Sequence, residues 1–286
     1  MLASQFELHR PESVEDAVAL RMQLGDAAAL YAGGTELLLA MKLGVLDYDH
    51  LIDLKRVAAL GGIGERDGAV RIGATATHRE IETDAAVNAA LPALAALERH
   101  VANVRVRAAG TLAGNLAFAE PHADPPALLV ALGARVELAG PGGTRELPVE
   151  DFIAGPYETE LGEDELIAAI TVPVLAPGVR AAYRKFQVLE RPAVGVAAVG
   201  RVEGGAFADA PAVVVGAVDE QPVRVPAEEL VGAACDDAGA LERLAAAARE
   251  AVEPVDDLSG SAEYKRHLTG VLAKRVLTAL TEEEGR

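Results

Sequence analysis

Apolar and polar positions alternate between two periods along the chain, and the changes of period mark its elements. Ser13, with Asp16 three residues on, opens an apolar pattern that stops at Gly25, which predicts a first helix. Ala27 to Ala32 is a short apolar run with strand character, and Gly33-Gly34 turns it into a helix expected from about Glu36, capped by Thr35, to Gly44. A second strand around His50 to Leu54 completes a βαβ unit. Val70 to Gly73 opens another lobe. Its expected parts are a Thr77/Glu80 capping box, a helix over 91–102 with Pro92 in its first turn, a helix started by Pro125 and Pro126, and strands at Arg135 to Ala139 and Leu166 to Val172. Beyond Pro173 to Gly178 the pattern turns β-rich, with strands at 180–189, 194–202 and 211–218 forming a three-stranded antiparallel sheet. Helices at 237–252 and 261–280 close the chain, and the acidic end Glu282 to Glu284 is expected to fray.

The fold class expected is α+β. A small βαβ lobe (1–56) and a larger mixed α/β lobe (57–175) precede a C-terminal domain (176–286) with the three-stranded sheet and two helices. A chain of 286 residues accommodates about two cored domains on the usual size prior.

Charge and composition narrow the function. A formal charge of −18 argues against nucleic-acid binding. The longest uncharged stretch, 166–179, is short for a membrane span and broken by Pro173 and Pro177. The opening residues lack a basic segment followed by an apolar block, so no secretory signal is expected and a cytoplasmic location is the default. Cys235 is the only cysteine, which excludes an internal disulfide and the four thiolates of an iron–sulfur cluster. The six histidines show no close-spaced ligand pattern, and no metal site is expected. No Ser/His/Asp or Cys/His arrangement suggests a hydrolase.

Candidate chemistry lies in two glycine-bearing loops, YAGGTELLLAMKLG from Tyr31 and AGTLAGNLAFAEPHAD from Ala109. Each glycine turn leads into a helix-compatible run, so both present backbone N–H groups to an anion. Gly110, Gly114 and Asn115 tolerate left-handed backbone angles, Thr111 supplies a hydroxyl and Asn115 an amide. In so acidic a chain, a pyrophosphate would be held by amide dipoles instead of a basic patch.

With these loops the chain resembles the FAD-binding medium subunit of the molybdenum hydroxylase family. The resemblance continues through LIDLKRV (51–57), VRIGATATHREIE (70–82), YRKF (183–186) and SGSAEYKRHL (259–268). It implies that Ala32, Gly33, Gly34, Thr35 and Glu36, with Thr111, Gly114 and Asn115, hold the flavin dinucleotide's diphosphate. It also implies roles near FAD for Asp124, which is otherwise a helix cap, and for Lys185, which is otherwise an edge charge. Glu36 either accepts from a sugar or ribityl hydroxyl or favours the positive end of its helix. Arg107 either touches the cofactor or pairs with an acid beside the second loop. Val194 is the matching position nearest the isoalloxazine ring. The cluster Lys265, Arg266, His267, Lys274 and Arg275 reads as a solvated helix face, or as a docking surface for an acidic partner.

Two departures stand out. Ala113 replaces the first glycine of the family's GGN, and Ala108 the asparagine of its IRN run. The function implied is electron transfer through FAD, from [2Fe-2S] clusters on a small partner subunit to an external acceptor. Molybdopterin would sit on a large partner subunit, in a dimer of heterotrimers. The alternatives are a stand-alone flavin oxidoreductase and an assembly subunit that has lost flavin.

Overall fold

The computed structural model describes residues 5–281, so the expected fraying of Glu282 to Glu284 lies outside the described residues. The first lobe is a parallel sheet. β1 (Glu7–His9) precedes α1 (Val14–Leu24), which Ser13 caps by accepting from Asp16 N. β2 (Ala28–Tyr31), α2 (Leu37–Leu43) and β3 (His50–Asp53) form the expected βαβ unit. The sheet order is β1-β3-β2, so a strand absent from the periodicity reading occupies one edge. Three residues are too few to show a period of two.

The second lobe starts with the hairpin β4 (Ile63–Arg66) and β5 (Ala69–Gly73). A helical stretch follows: α3 (His78–Thr83), with the expected capping box, α4 (Ala85–Ala90), α5 (Pro92–Glu98), α6 (Val104–Arg107), α7 (Leu112–Phe118) and α8 (Pro125–Ala131). The helix expected over 91–102 is thus shorter: α5 ends at Glu98, and the chain turns at Arg99 and His100 before Ala102, which has φ 42°. β6 (Arg135–Gly140) and β7 (Gly143–Pro148) form a hairpin. The short α9 (Val149–Phe152) and the ladder β8 (Ile153–Gly155) with β9 (Glu158–Thr159) lead into β10 (Leu166–Pro173). β10 lies at the centre of an antiparallel sheet ordered β4-β5-β10-β6-β7, and its continuous apolar run follows from burial on both faces.

In the C-terminal part, β11 (Val179–Val188), β12 (Arg191–Glu203), β14 (Ala212–Gly216) and β15 (Val223–Val225) pair in sequence. The sheet therefore has a fourth strand beyond the three expected. The Glu203 to Gly205 turn leads into β13 (Ala206–Phe207), which folds back on β12. β12 also starts at Arg191, not at Val194. Helices α10 (Ala238–Ala251) and α11 (Ala262–Ala279) match the expected pair.

The molecule has two cores divided by this last sheet. Ala197 and Val214 point into a core shared by the first two lobes, in which Ala17, Ile52, Leu128 and Ile170 are buried. Val194, Val196, Ala198, Val213 and Val215 point the other way, against Leu244, Leu272 and Val276 of α10 and α11. α8 of the second lobe packs on β12 and β14, which fixes the C-terminal sheet beside the glycine loops. No helix among the described residues is long and apolar enough to cross a membrane.

Candidate flavin-binding cleft

The two glycine loops meet. A Cβ on Gly33 would lie 2.3 Å from the Ala109 carbonyl oxygen and 2.7 Å from the Gly110 Cα, so only glycine lets the first loop rest on the backbone of the second. Gly34 has φ 69°, and a Cβ there would collide with the Tyr31 ring. The loops line a cleft of about 710 Å³, which also takes in Arg191, His78, His122 and Leu161. That volume lies within the range of about 300–1,000 Å³ usual for cofactor sites.

Local geometry corrects parts of the sequence reading. Thr35 does not cap α2: Glu36 occupies the N-cap position with helical angles and no side-chain cap bond, because the Gly33-Gly34 turn already points the chain into the helix. The Gly44 stop in the left-handed region holds. Neither Gly110 nor Gly114 is left-handed. The second loop is instead an ordinary capped start, in which Thr111, 3% exposed, accepts from Gly114 N at 3.0 Å. Ala113 lies inside α7, buried and without a positive φ, so the alanine is not strained. Ala108, at the end of α6, has φ −71° and is equally relaxed.

Ala32, Gly33, Gly34, Thr35, Glu36, Thr111, Gly114, Asn115 and Asp124 all line the cleft. Asn115 Oδ1 is buried there with no hydrogen-bond partner among the described residues. A buried amide oxygen without a partner is costly, and a ligand hydroxyl or amide entering the cleft would satisfy it.

Three expected residues do not line the cleft. Val194 is fully buried in the second core, because the alternation of β12 turns it toward α10 and α11; Glu190, Arg191 and Pro192 face the cleft in its place. Arg107 donates to the Val101 carbonyl at 3.1 Å and lies 3.6 Å from Glu82 Oε2, which realises the acid-pairing alternative. Lys185 donates to Asp124 Oδ2 at 2.9 Å and to the His100 carbonyl at 2.8 Å, so it binds the second lobe from behind the cleft. Asp124 in turn is not a helix cap: its side chain turns back to Lys185 and accepts from the Tyr183 hydroxyl at 2.9 Å. Burial raises the Asp124 pKa against the opposing pull of Lys185 and Tyr183, and burial beside Asp124 pushes the Tyr183 phenol well above its usual value. A Cβ at Gly195 would sit 2.2 Å from the Tyr183 hydroxyl oxygen, so that glycine gives Tyr183 its path to Asp124.

A line of charges crosses the mouth of the cleft. Arg191 lies 3.4 Å from Glu36 Oε1 and contacts Glu120 more closely. Glu120 is 3.1 Å from His122 Nδ1, and His122 Nε2 is 3.3 Å from Asp257. Asp257 meets Lys265 at 2.5 Å. Burial pushes the Glu120 pKa up, but bonds from His122 and the Arg191 charge outweigh it and leave the carboxyl below its ordinary value. The bond to Glu120 raises the His122 pKa. Lys265 is 1% exposed and also donates to the Val255 carbonyl, so it does not belong to the solvated helix face expected for its cluster. Tyr264, beside it, packs edge-on against Phe186 at 6.0 Å, which joins the SGSAEYKRHL and YRKF segments.

Two further motif residues support the loops. Lys55 of LIDLKRV donates to the Ala32 carbonyl at 3.1 Å, lies 2.7 Å from Asp53, and sits 3.6 Å from the centre of the Tyr31 ring, bracing the first loop from below. His78 lines the cleft beside Gly110, with Nδ1 2.6 Å from Glu98, which is fully buried. Ala32, Tyr31 and Glu98 come from other elements, so no local pattern announces these contacts.

Residues 4–175 match the family described as the FAD binding domain in molybdopterin dehydrogenase, and residues 181–280 match the CO dehydrogenase flavoprotein C-terminal domain. The chain is 37% identical to the carbon monoxide dehydrogenase medium chain of Hydrogenophaga pseudoflava, over 98% of each chain. It is 27% identical to the xanthine dehydrogenase FAD-binding subunit of Escherichia coli O157:H7, over 97% of this chain and 96% of that one. A solved structure of carbon monoxide dehydrogenase from Hydrogenophaga pseudoflava, lacking the Mo-pyranopterin moiety of its cofactor, superposes with a TM-score of 0.93 at 38% identity over 98% of both chains. The cleft fits the FAD that this family binds: Gly33 and Gly34 line it without side chains, and the buried Asn115 Oδ1 has no partner among the described residues. On the joint weight of fold, loops and relatives, the chain belongs to the FAD-binding medium subunits of the molybdenum hydroxylase family, a family of oxidoreductases.

Proposed function

We propose that the chain passes electrons from iron–sulfur clusters on a small partner subunit, through FAD, to an external acceptor, while hydroxylation takes place on a large molybdopterin subunit. FAD, when bound, exchanges electrons singly with clusters and in pairs with an acceptor. The observation that carries this reading is the contact between the two glycine loops at Gly33, which forms one backbone-lined cradle from segments almost eighty residues apart in sequence. The single cysteine supports placing the clusters on another chain. In the cradle, Gly33, Gly34, Thr111, Gly114 and Asn115 would hold the diphosphate, Glu36 a sugar or ribityl hydroxyl, and Arg191 would cover the mouth. Asp124, Tyr183 and Lys185 would keep the C-terminal sheet against the cleft, with Asp124 part of its wall. The relaxed backbone at Ala113 and Ala108 argues against strain in the second loop and so favours a subunit that keeps its flavin.

The assembly expected is a dimer of heterotrimers in the cytoplasm. The test is the visible spectrum of the purified chain, chromatography of what denaturation releases, and then anaerobic mixing with reduced cluster-bearing partners. Released FAD that is reduced only when partners are present supports the proposal. Substrate turnover by the isolated chain would favour a stand-alone oxidoreductase, and absence of flavin even after added FAD would overturn the reading.

A further inference from the structure

We propose that Glu7, His9 and His50 form a binding site for a divalent transition-metal ion of the zinc class, on the edge of the first-lobe sheet and separate from the flavin cleft. β1 and β3 pair in parallel with Glu7 opposite His50, so Glu7, His9 and His50 project from one face. His9 Nε2 and His50 Nδ1 are 3.1 Å apart, and Glu7 Oε2 is 3.6 Å from the same His50 Nδ1. All three ligand atoms lie within 4.8 Å of one another.

These separations are compatible with one shared metal ion. Zinc bonds of about 2.0–2.1 Å in a tetrahedron place ligand atoms about 3.3 Å apart, and the two observed distances fall on either side of that value. A hydrogen bond accounts for the His9–His50 contact only. At 3.6 Å the Glu7 carboxylate is too far from Nδ1 for a good hydrogen bond, yet it stays within 4.8 Å of both imidazole nitrogens. Two imidazoles and one carboxylate are a donor set suited to zinc, with a remaining position for water. The side chains of His50 and Glu7 are 25% and 68% exposed, so an ion can reach the site. None of the three residues lines the flavin cleft.

The consequence would be structural. β1 is three residues long and lies at the sheet edge, and an ion would tie it to β3 across a sequence separation of 41 residues. Binding to the folded chain alone would stabilise the lobe by mass action.

The test is titration of the full, chelator-treated chain with zinc chloride by calorimetry, with thermal unfolding followed in parallel. The result expected is one saturable equivalent and a rise in Tm. His9→Gln and His50→Gln should each weaken binding by about tenfold or more, and Glu7→Gln less. Cys235→Ser and His122→Gln serve as controls at other ligand-type residues and should bind as the parent does. Far-ultraviolet circular dichroism of each variant shows that loss of binding is not loss of fold. Absence of saturable zinc binding by the folded parent would overturn the proposal, as would binding of unchanged affinity and stoichiometry in the folded His9→Gln/His50→Gln double variant.

Discussion

Single atoms decide the cleft. The Cβ of alanine at position 33 would press into backbone that cannot rotate away, so Gly33→Ala should separate the loops. The expected result is protein purified without flavin and not reloaded by added FAD. Gly114→Ala meets only the Thr111 hydroxyl, at 2.9 Å, and should lower FAD retention without abolishing it; equal retention by the two variants would contradict the cradle. Asn115→Ala tests the buried amide. If Oδ1 is satisfied by cofactor, FAD affinity should fall by about 1–3 kcal/mol in an equilibrium fluorescence titration. The first loop was legible because Gly34 takes the left-handed angle that its turn requires; the second was legible through its residues, but its form is a Thr111-capped helix start. The Gly33 contact was not, since it depends on Ala109 arriving from another element.

Between elements, the charged line from Glu36 to Lys265 links the first lobe to α11. His122 sets its pH response. Its pKa is raised by folding above the ordinary 6.5, so its contribution is complete below about pH 6.5 and is lost as pH rises through the folded value. Glu120 and Asp257 have lowered values and stay ionised across that interval. Tm should therefore fall as pH rises above about 6.5, and His122→Gln should flatten that decline; an unchanged slope in the variant would sink the link. The Asp124–Lys185 pair holds β11 to α8. Lys185→Met would leave a buried carboxylate, with its side chain 4% exposed, without its cation, and should cost about 3–5 kcal/mol in urea unfolding. Period and caps revealed most helices and strands here, including the Ser13 and Thr77 caps. They missed the short or edge strands β1, β4, β7, β8, β9, β13 and β15, and they could not show which way Asp124 or Lys265 would turn.

Across the whole molecule, a charge of −18 opposes an anionic cofactor, and the cleft answers with backbone dipoles more than with cations. Added salt screens the repulsion, so FAD affinity should hold or rise between low and moderate ionic strength; a steep loss with salt, measured by fluorescence titration, would mean a basic site had been overlooked. The sequence by itself determined the α+β class, the two glycine loops, the flavin family and the absence of cluster ligands, because each depends on local spacing or on residue count. The tertiary structure alone decided that Val194 faces the second core, that Lys185 braces Asp124 instead of facing the cleft, that Lys55 and His78 attend the loops, and that His9 meets His50. A strand's period tells which residues share a face. Which face meets a cofactor, a core or solvent is set by the element packed against it, and that partner lies far away in the chain.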